Sequence, residues 1–400
     1  MAAGGGGFGR ALRPAFALEA GLTYLNHGAF GAVPVSVAEA QSGWRRRIEA
    51  NPTRFFAVDG PPAIRAAAAG IARRFGGSGE DWAFVANATT GMSAVLTSLR
   101  LRAGEVILTT DLAYPSVLRA LSWVADRADA RLRVVALPLP LERPGQVVEA
   151  VAAALQEGPV ALAVLDHVAS PTGAVLPVAD LAALCRAHGV PVLVDGAHAP
   201  GQVALDVPAL GVDAYVGNLH KWCFAPRGAG LLWLGAGLRD RVIPPVIAFT
   251  IDEGFPRAFD YLGTADSSAW LAAADGLAFA DIWGATALAE ANAALAQAAG
   301  AMLASAWNTG TATAPGISAA MVAVRVPATS RDLARLSRNH DGLWRAGRVL
   351  SQALRLRHGI EVPVLPCGGL LWARISAQIY NEMADYERLA VAVPQVLAAH

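Results

Sequence analysis

Short apolar runs alternate with alanine-rich stretches along this chain, and that alternation leaves few architectures open to it. Seven runs bounded by Gly, Pro, Asp or Asn read as buried strands: Trp82–Ala86, Glu105–Thr110, Arg133–Leu139, Val160–His167, Pro191–Asp195, Ala214–Gly217 and Gly230–Leu234. Between most of them lie stretches with helical spacing, such as Met92–Leu101, Ser116–Ala128, Val147–Gln156 and Val178–His188. Strand alternating with helix predicts an α/β fold, a mainly parallel seven-stranded sheet between helices. Pro177 at the start of one helix and Gly189 just past its end are the expected punctuation.

After about Tyr261 the pattern changes. A long helical region, Ser268–Trp307, leads to a strand at Ala319–Val326, then helices at about Ser330–Arg335 and His340–Leu354. Short strands near Ile360–Val364 and Leu371–Ile375 and a last helix over Asp385–Ala398 complete a smaller α/β unit. The expected division is an N-terminal arm (1–50), a large domain (51–275) and a small C-terminal domain (276–400). The arm comprises Leu22–Pro34 and one helix, Val35–Ile48. The glycine-rich start, Met1 to Arg10, is expected to be disordered and has no secretory apolar stretch.

Composition narrows the function classes. At 54% hydrophobic and 16% charged, the chain can bury a large core. Its 32 basic and 32 acidic residues cancel, which gives no electrostatic reason for nucleic acid or a membrane as partner. The three cysteines, Cys185, Cys223 and Cys367, are scattered; they suit a reducing cytoplasm and no disulfide or metal framework. Of the 32 basic residues one alone is lysine, Lys221. Where a plain positive charge suffices the chain uses arginine, so a lone lysine points to something a guanidinium cannot do. Losing a proton and attacking a carbonyl is such a task.

The residues around that lysine fit one cofactor, pyridoxal 5′-phosphate (PLP). Its chemistry asks for an amine that condenses with the aldehyde, a carboxylate that keeps the pyridine nitrogen protonated, a helix N-terminus for the phosphate, and a flat group against the ring. Lys221 offers the amine, within Gly217-Asn218-Leu219-His220-Lys221-Trp222 at a strand end. Asp195 ends the preceding apolar run and can converge with Lys221 on one ligand. Asn87-Ala88-Thr89-Thr90-Gly91 follows a strand and opens a helix, so the Ala88, Thr89 and Thr90 turn suits a phosphate; Asn218 and His220 can reach the same group.

These segments, with Leu165-Asp166-His167-Val168-Ala169-Ser170-Pro171-Thr172-Gly173, Val194-Asp195-Gly196-Ala197-His198 and Arg374-Ile375-Ser376-Ala377-Gln378-Ile379-Tyr380-Asn381, resemble the class V aminotransferase superfamily of fold-type I PLP enzymes. Leu25-Asn26-His27-Gly28-Ala29-Phe30-Gly31 and Asn51-Pro52-Thr53-Arg54-Phe55-Phe56 look closest to its isopenicillin N epimerase-like members. The resemblance implies that Tyr114 stacks on the ring, and that Ser170 and His198 lie near the ring hydroxyl or the substrate. It implies that Arg374 clamps a substrate α-carboxylate, with Asn26 and His27 beside the substrate. It further implies a homodimer in which Thr264 reaches the neighbouring active site.

The implied reaction starts at the α-carbon of an amino acid. Epimerisation of the isopenicillin N epimerase kind is the first expectation, with β-elimination of a sulfur-bearing side chain beside it, and cysteine desulfuration and transamination as further alternatives. Cys367 lies too close to Arg374 for a mobile nucleophile, and Cys223 sits in a packed-looking run, which disfavours desulfuration. An epimerase needs a second base, for which Tyr114, His27 and His167 are candidates. The substrate pocket is expected from Leu25–Phe30, Arg54–Phe56 and Ala248–Phe255. A nicotinamide-type oxidoreductase should show Gly-x-Gly-x-x-Gly after the first strand, where the chain has Asn-Ala-Thr-Thr-Gly. A non-catalytic binding protein should have lost Lys221, Asp195 or Arg374, and all three are present.

Overall fold

The computed structural model describes residues 8–336 and 342–399. All seven apolar runs fall in one seven-stranded sheet: β1 (Trp82–Val85), β2 (Val106–Thr110), β3 (Arg131–Val135), β4 (Leu162–Asp166), β5 (Val192–Gly196), β6 (Ala214–Asn218) and β7 (Gly230–Leu234). Their order across the sheet is β1-β7-β6-β5-β4-β2-β3, and β7 alone runs antiparallel to its neighbours. The expected third strand, Arg133–Leu139, is displaced to Arg131–Val135. It is the edge strand, and its outer residues are partly exposed, so arginines serve there and apolarity is a poor guide.

The sheet is apolar on both faces because both are covered. Leu162, Val164, Leu193, Ala214 and Val216 pack with Ala88, Met92 and Val95 of the helix Ala88–Ser98, which we call α1. Ala163, Leu165, Val192, Val194 and Tyr215 pack on the opposite side with Val178, Leu181 and Ala182 of the helix Val178–Ala187. The period of two therefore places Asp166, Asp195 and Asn218 on the α1 face, at the C-terminal ends of β4, β5 and β6.

The C-terminal unit is a three-stranded antiparallel sheet, with β10 (Leu370–Ser376) between β9 (Val364–Cys367) and β8 (Met321–Arg325). Helices Ala285–Ala306, Gly342–His358 and Met383–Ala398 share its apolar core. The expected single helical region Ser268–Trp307 is three helices, Ser268–Leu271, Ala273–Asp281 and Ala285–Ala306. A bend of 72° separates the last from those before it, at Gly284 with φ 75°. His340, the expected start of the next helix, lies outside the described residues, as does Met1 to Gly7 of the glycine-rich start. Thr23–Tyr24 pairs in parallel with Ile360–Glu361, which ties the beginning of the chain to this unit. The arm helix runs Val35–Ala50.

Candidate active site

The C-terminal ends of the parallel strands open on a cavity of about 620 Å³, closed on the other side by β10 and the Asn26–Phe30 segment. Lys221 reaches it from Leu219–Trp222, a single helical turn directly after β6. Its Nζ lies 3.1 Å from His198 Nε2. Burial, opposed by the Asp195 charge and reinforced by Arg374, lowers the Lys221 amine from 10.5 to about 7. Burial and then the Lys221 charge push His198 well below the usual histidine range, so its neutral ring accepts from the amine. The proton then sits on His198 Nδ1, a buried atom with no partner among the described residues.

Asp195 ends β5 and is 6% exposed. Its Oδ1 accepts the Ala197 N–H at 2.9 Å, and burial raises its carboxyl. No basic group of the described residues pairs with it within 4 Å. Asn87 caps α1, its Oδ1 accepting the Thr90 N–H at 2.9 Å. Asn218 Oδ1 takes the Ala88 N–H at 2.8 Å and so ties β6 to that turn. Gly230 makes the approach possible, since a Cβ there would lie 2.6 Å from Asn87 Cα. Ala88, Thr89, Asn218 and His220 all line the cavity. Thr90 does not; its hydroxyl turns back to Asn87 Oδ1 at 3.2 Å and completes the cap.

Arg374 reaches the cavity from β10 and is 4% exposed. Its Nη1 donates to the Ser170 carbonyl at 2.7 Å and to Ser170 Oγ at 3.1 Å, and Nη2 lies 3.4 Å from Asn26 Oδ1. All are neutral acceptors, and burial lowers the guanidinium to about 10. A buried cation without a carboxylate, with Nε unpartnered among the described residues, is a site prepared for an anion. Tyr114, half-exposed ahead of the helix Pro115–Arg127, lines the same space.

Several expected residues stand elsewhere. His27 is fully buried and does not line the cavity. Its Nε2 donates to the Lys221 carbonyl at 2.6 Å, and its Nδ1 accepts from the Tyr380 hydroxyl at 2.8 Å. Gly31 (φ 70°) allows this segment to press on the Lys221 turn, because a Cβ there would overlap the His220 carbonyl. His167 is likewise buried off the cavity, bonded to the Tyr215 hydroxyl at 3.0 Å. Of the three candidate second bases, then, Tyr114 alone faces the space. Arg54–Phe56 and Ala248–Phe255 do not line it either, Phe55 being core and Phe249 exposed at the surface. Thr264 is exposed and lies outside this chain's own cavity. The buried Cys223 and the half-buried Cys367 also lie outside it. Conversely, Asp166 and Arg227 line the cavity without having been singled out by the sequence. Asp166 is brought there by strand pairing and Arg227 by the turn ahead of β7, and neither leaves a mark in neighbouring residues.

The fit to PLP rests on these unsatisfied groups. A buried carboxylate without a cation, a neutral-leaning amine, an anion-ready guanidinium and a helix N-terminus surround one cavity. A pyridinium, an aldehyde, a carboxylate and a phosphate are their respective complements.

Comparison with known proteins agrees. The family model "Aminotransferase class-V" matches residues 23–389. Isopenicillin N epimerase of Streptomyces clavuligerus is 33% identical over 94% of this chain and 95% of its own length. Putative L-cysteine desulfhydrase 1 of Oryza sativa subsp. japonica is 31% identical over 95% of this chain and 84% of its own. Among solved structures, a mutant of C-DES with glycine covalently linked to its PLP cofactor superposes with a TM-score of 0.78 at 22% identity, covering 96% of this chain and 98% of the other.

Proposed function

From the chain's membership of the class-V aminotransferases, to which it belongs, we propose that it removes the α-proton of an amino acid with a free carboxylate and expels a sulfur-bearing β-substituent. The observation that carries the reading is Lys221, a half-buried amine lowered to about 7 on the same cavity as Asp195 and Arg374. The enzyme's cofactor is PLP, which when bound supplies an electron sink conjugated to the substrate α-carbon. Thr89 and the α1 N-terminus would hold its phosphate, with Asn218 fixing the turn and His220 and Arg227 lining the same cavity. Asp195 would keep a proton at the ring nitrogen. Tyr114 would contact the ring, and Ser170 positions Arg374. Arg374 exchanges its neutral acceptors for the substrate carboxylate and so orients the α-carbon. Lys221, once its nitrogen is free, takes the α-proton, a transfer suited to an amine near neutrality. His198 accepts from the Lys221 nitrogen and aims it.

One base suffices for elimination, and among the described residues Lys221 is the one amine on the cavity. A second reading, epimerisation, is favoured by Tyr114, the single remaining candidate that could return a proton from another direction. In either case we place the enzyme as a homodimer, with the exposed Thr264 serving the partner's phosphate site. Incubation of the PLP-loaded enzyme with L- and D-amino acids in deuterated water separates the readings. Pyruvate, ammonia and sulfide from cysteine, or a thiol in place of sulfide from an S-alkylcysteine, support elimination; deuterium gain with inversion supports epimerisation. A keto acid retaining the whole side chain points to transamination and refutes both.

A further inference from the structure

Two carboxyls stand where the chemistry of the ring nitrogen asks for one. Asp166 ends β4, and Asp195 is its register partner on β5. Both leave the α1 face of the sheet and both line the cavity. Neighbouring strands lie about 4.8 Å apart, within reach of a hydrogen bond between two carboxyls that face the same way. Their surroundings differ. Asp195 has the Ala197 N–H and shares the cavity with Lys221. Asp166 is 3% exposed, and its Oδ2 is buried without a partner among the described residues.

The other titratable groups around the pair do not neutralise a second charge. Lys221 and Arg374 face it across the cavity, His198 is neutral, and Arg227 stands exposed at the rim. Asp111, beyond β2, lies off the cavity and is engaged with the Leu137 N–H at 3.1 Å. His167 and Tyr215 satisfy each other. Ionising Asp166 as well as Asp195 would put two adjacent negative charges in a water-poor space, and like charges so placed cannot both ionise near neutrality. Burial and the Asp195 charge accordingly push Asp166 well above the usual carboxylate range.

We propose that Asp166 is a protonated carboxylic acid that donates a hydrogen bond to the Asp195 carboxylate. It is a positioning residue: it limits the pair to one negative charge and decides which Asp195 oxygen remains for the ring nitrogen. The second part rests on the role given to Asp195 above, whereas the shared proton belongs to the chain with or without cofactor.

Infrared spectra of the full chain, PLP-loaded and PLP-stripped, with aspartate carboxyls labelled with carbon-13, test it. At pH 7 a protonated-carboxyl band is expected in both forms, lost in Asp166→Asn and shifted in frequency in Asp195→Asn. Absence of the band at neutral pH, or its survival in Asp166→Asn, overturns the proposal. The visible absorption of the loaded chain, followed against pH, reads the positioning role. Asn can still donate to Asp195, so Asp166→Asn should keep the wild-type profile, while Asp166→Ala should move its midpoint by about one pH unit or more. An unmoved Ala profile removes the positioning role. A colourless chain that keeps the band refutes the cofactor reading and not the shared proton.

Discussion

The Lys221 amine can be titrated in isolation, because it is the chain's one lysine. At pH 7 an ordinary lysine offers about one neutral amine in 3,000, whereas one titrating near 7 offers roughly one in two. The fall from 10.5 to about 7 corresponds to roughly 5 kcal/mol in favour of the neutral form, an upper figure for a half-buried group that water can reach. Reductive methylation of the cofactor-free chain with carbon-13 formaldehyde labels Lys221 and the terminal amine, and Lys221→Met identifies which signal is which. The Lys221 signal should titrate near 7, and Arg374→Gln should raise its midpoint by removing a neighbouring positive charge. Stability follows with a definite sign. The folded value lies below the unfolded one, so the lysine's penalty is fully present below pH 7 and fades as pH rises from 7 towards 10.5. Lys221→Met should therefore stabilise the cofactor-free chain below pH 7, by a margin that closes at higher pH. A midpoint near 10, with no pH-dependent gain from Lys221→Met, refutes the reasoning, since it means the ammonium is solvated or ion-paired.

Other consequences can be checked directly. Asp195→Asn should retain cofactor but lose turnover by about a hundredfold or more, as expected when roughly 3 kcal/mol of charge stabilisation goes. Wild-type rates remove its role. Arg374→Ala should raise KM about a hundredfold for amino acids while leaving affinity for the corresponding decarboxylated amines unchanged; equal losses for both contradict the clamp. His27→Ala deletes a buried ring and leaves the Lys221 carbonyl unpaired, so urea unfolding should show a loss of roughly 2–4 kcal/mol. A change under about 1 kcal/mol would mean that His27 does not brace the Lys221 turn.

Much of this was legible in the sequence, for reasons that can be stated residue by residue. Val192, Leu193 and Val194 are apolar in succession because both faces of β5 are covered, and Asp195 after them breaks the run where the strand meets the cavity. Asn87 and Thr90 are spaced as a helix cap, and they form one. The same spacing cannot tell whether Thr90 also faces a ligand, and its hydroxyl is taken by the cap. Gly284 was hidden inside an alanine-rich stretch, where continuous helix and bent helix look alike. His27 belongs to the Lys221 turn through a contact spanning 194 positions, and Asp166 meets Asp195 only through strand register. Local pattern carries neither. The first appears when the N-terminal segment packs on the Lys221 turn, the second when the sheet is assembled.

The most direct measurement is borohydride reduction of the PLP-loaded chain followed by peptide mapping. One pyridoxyl group on the peptide containing Lys221, with loss of the visible colour, is the predicted result. A label confined to the terminal amine, or a chain that stays active and unlabelled with Lys221→Ala, would contradict the assignment of the site.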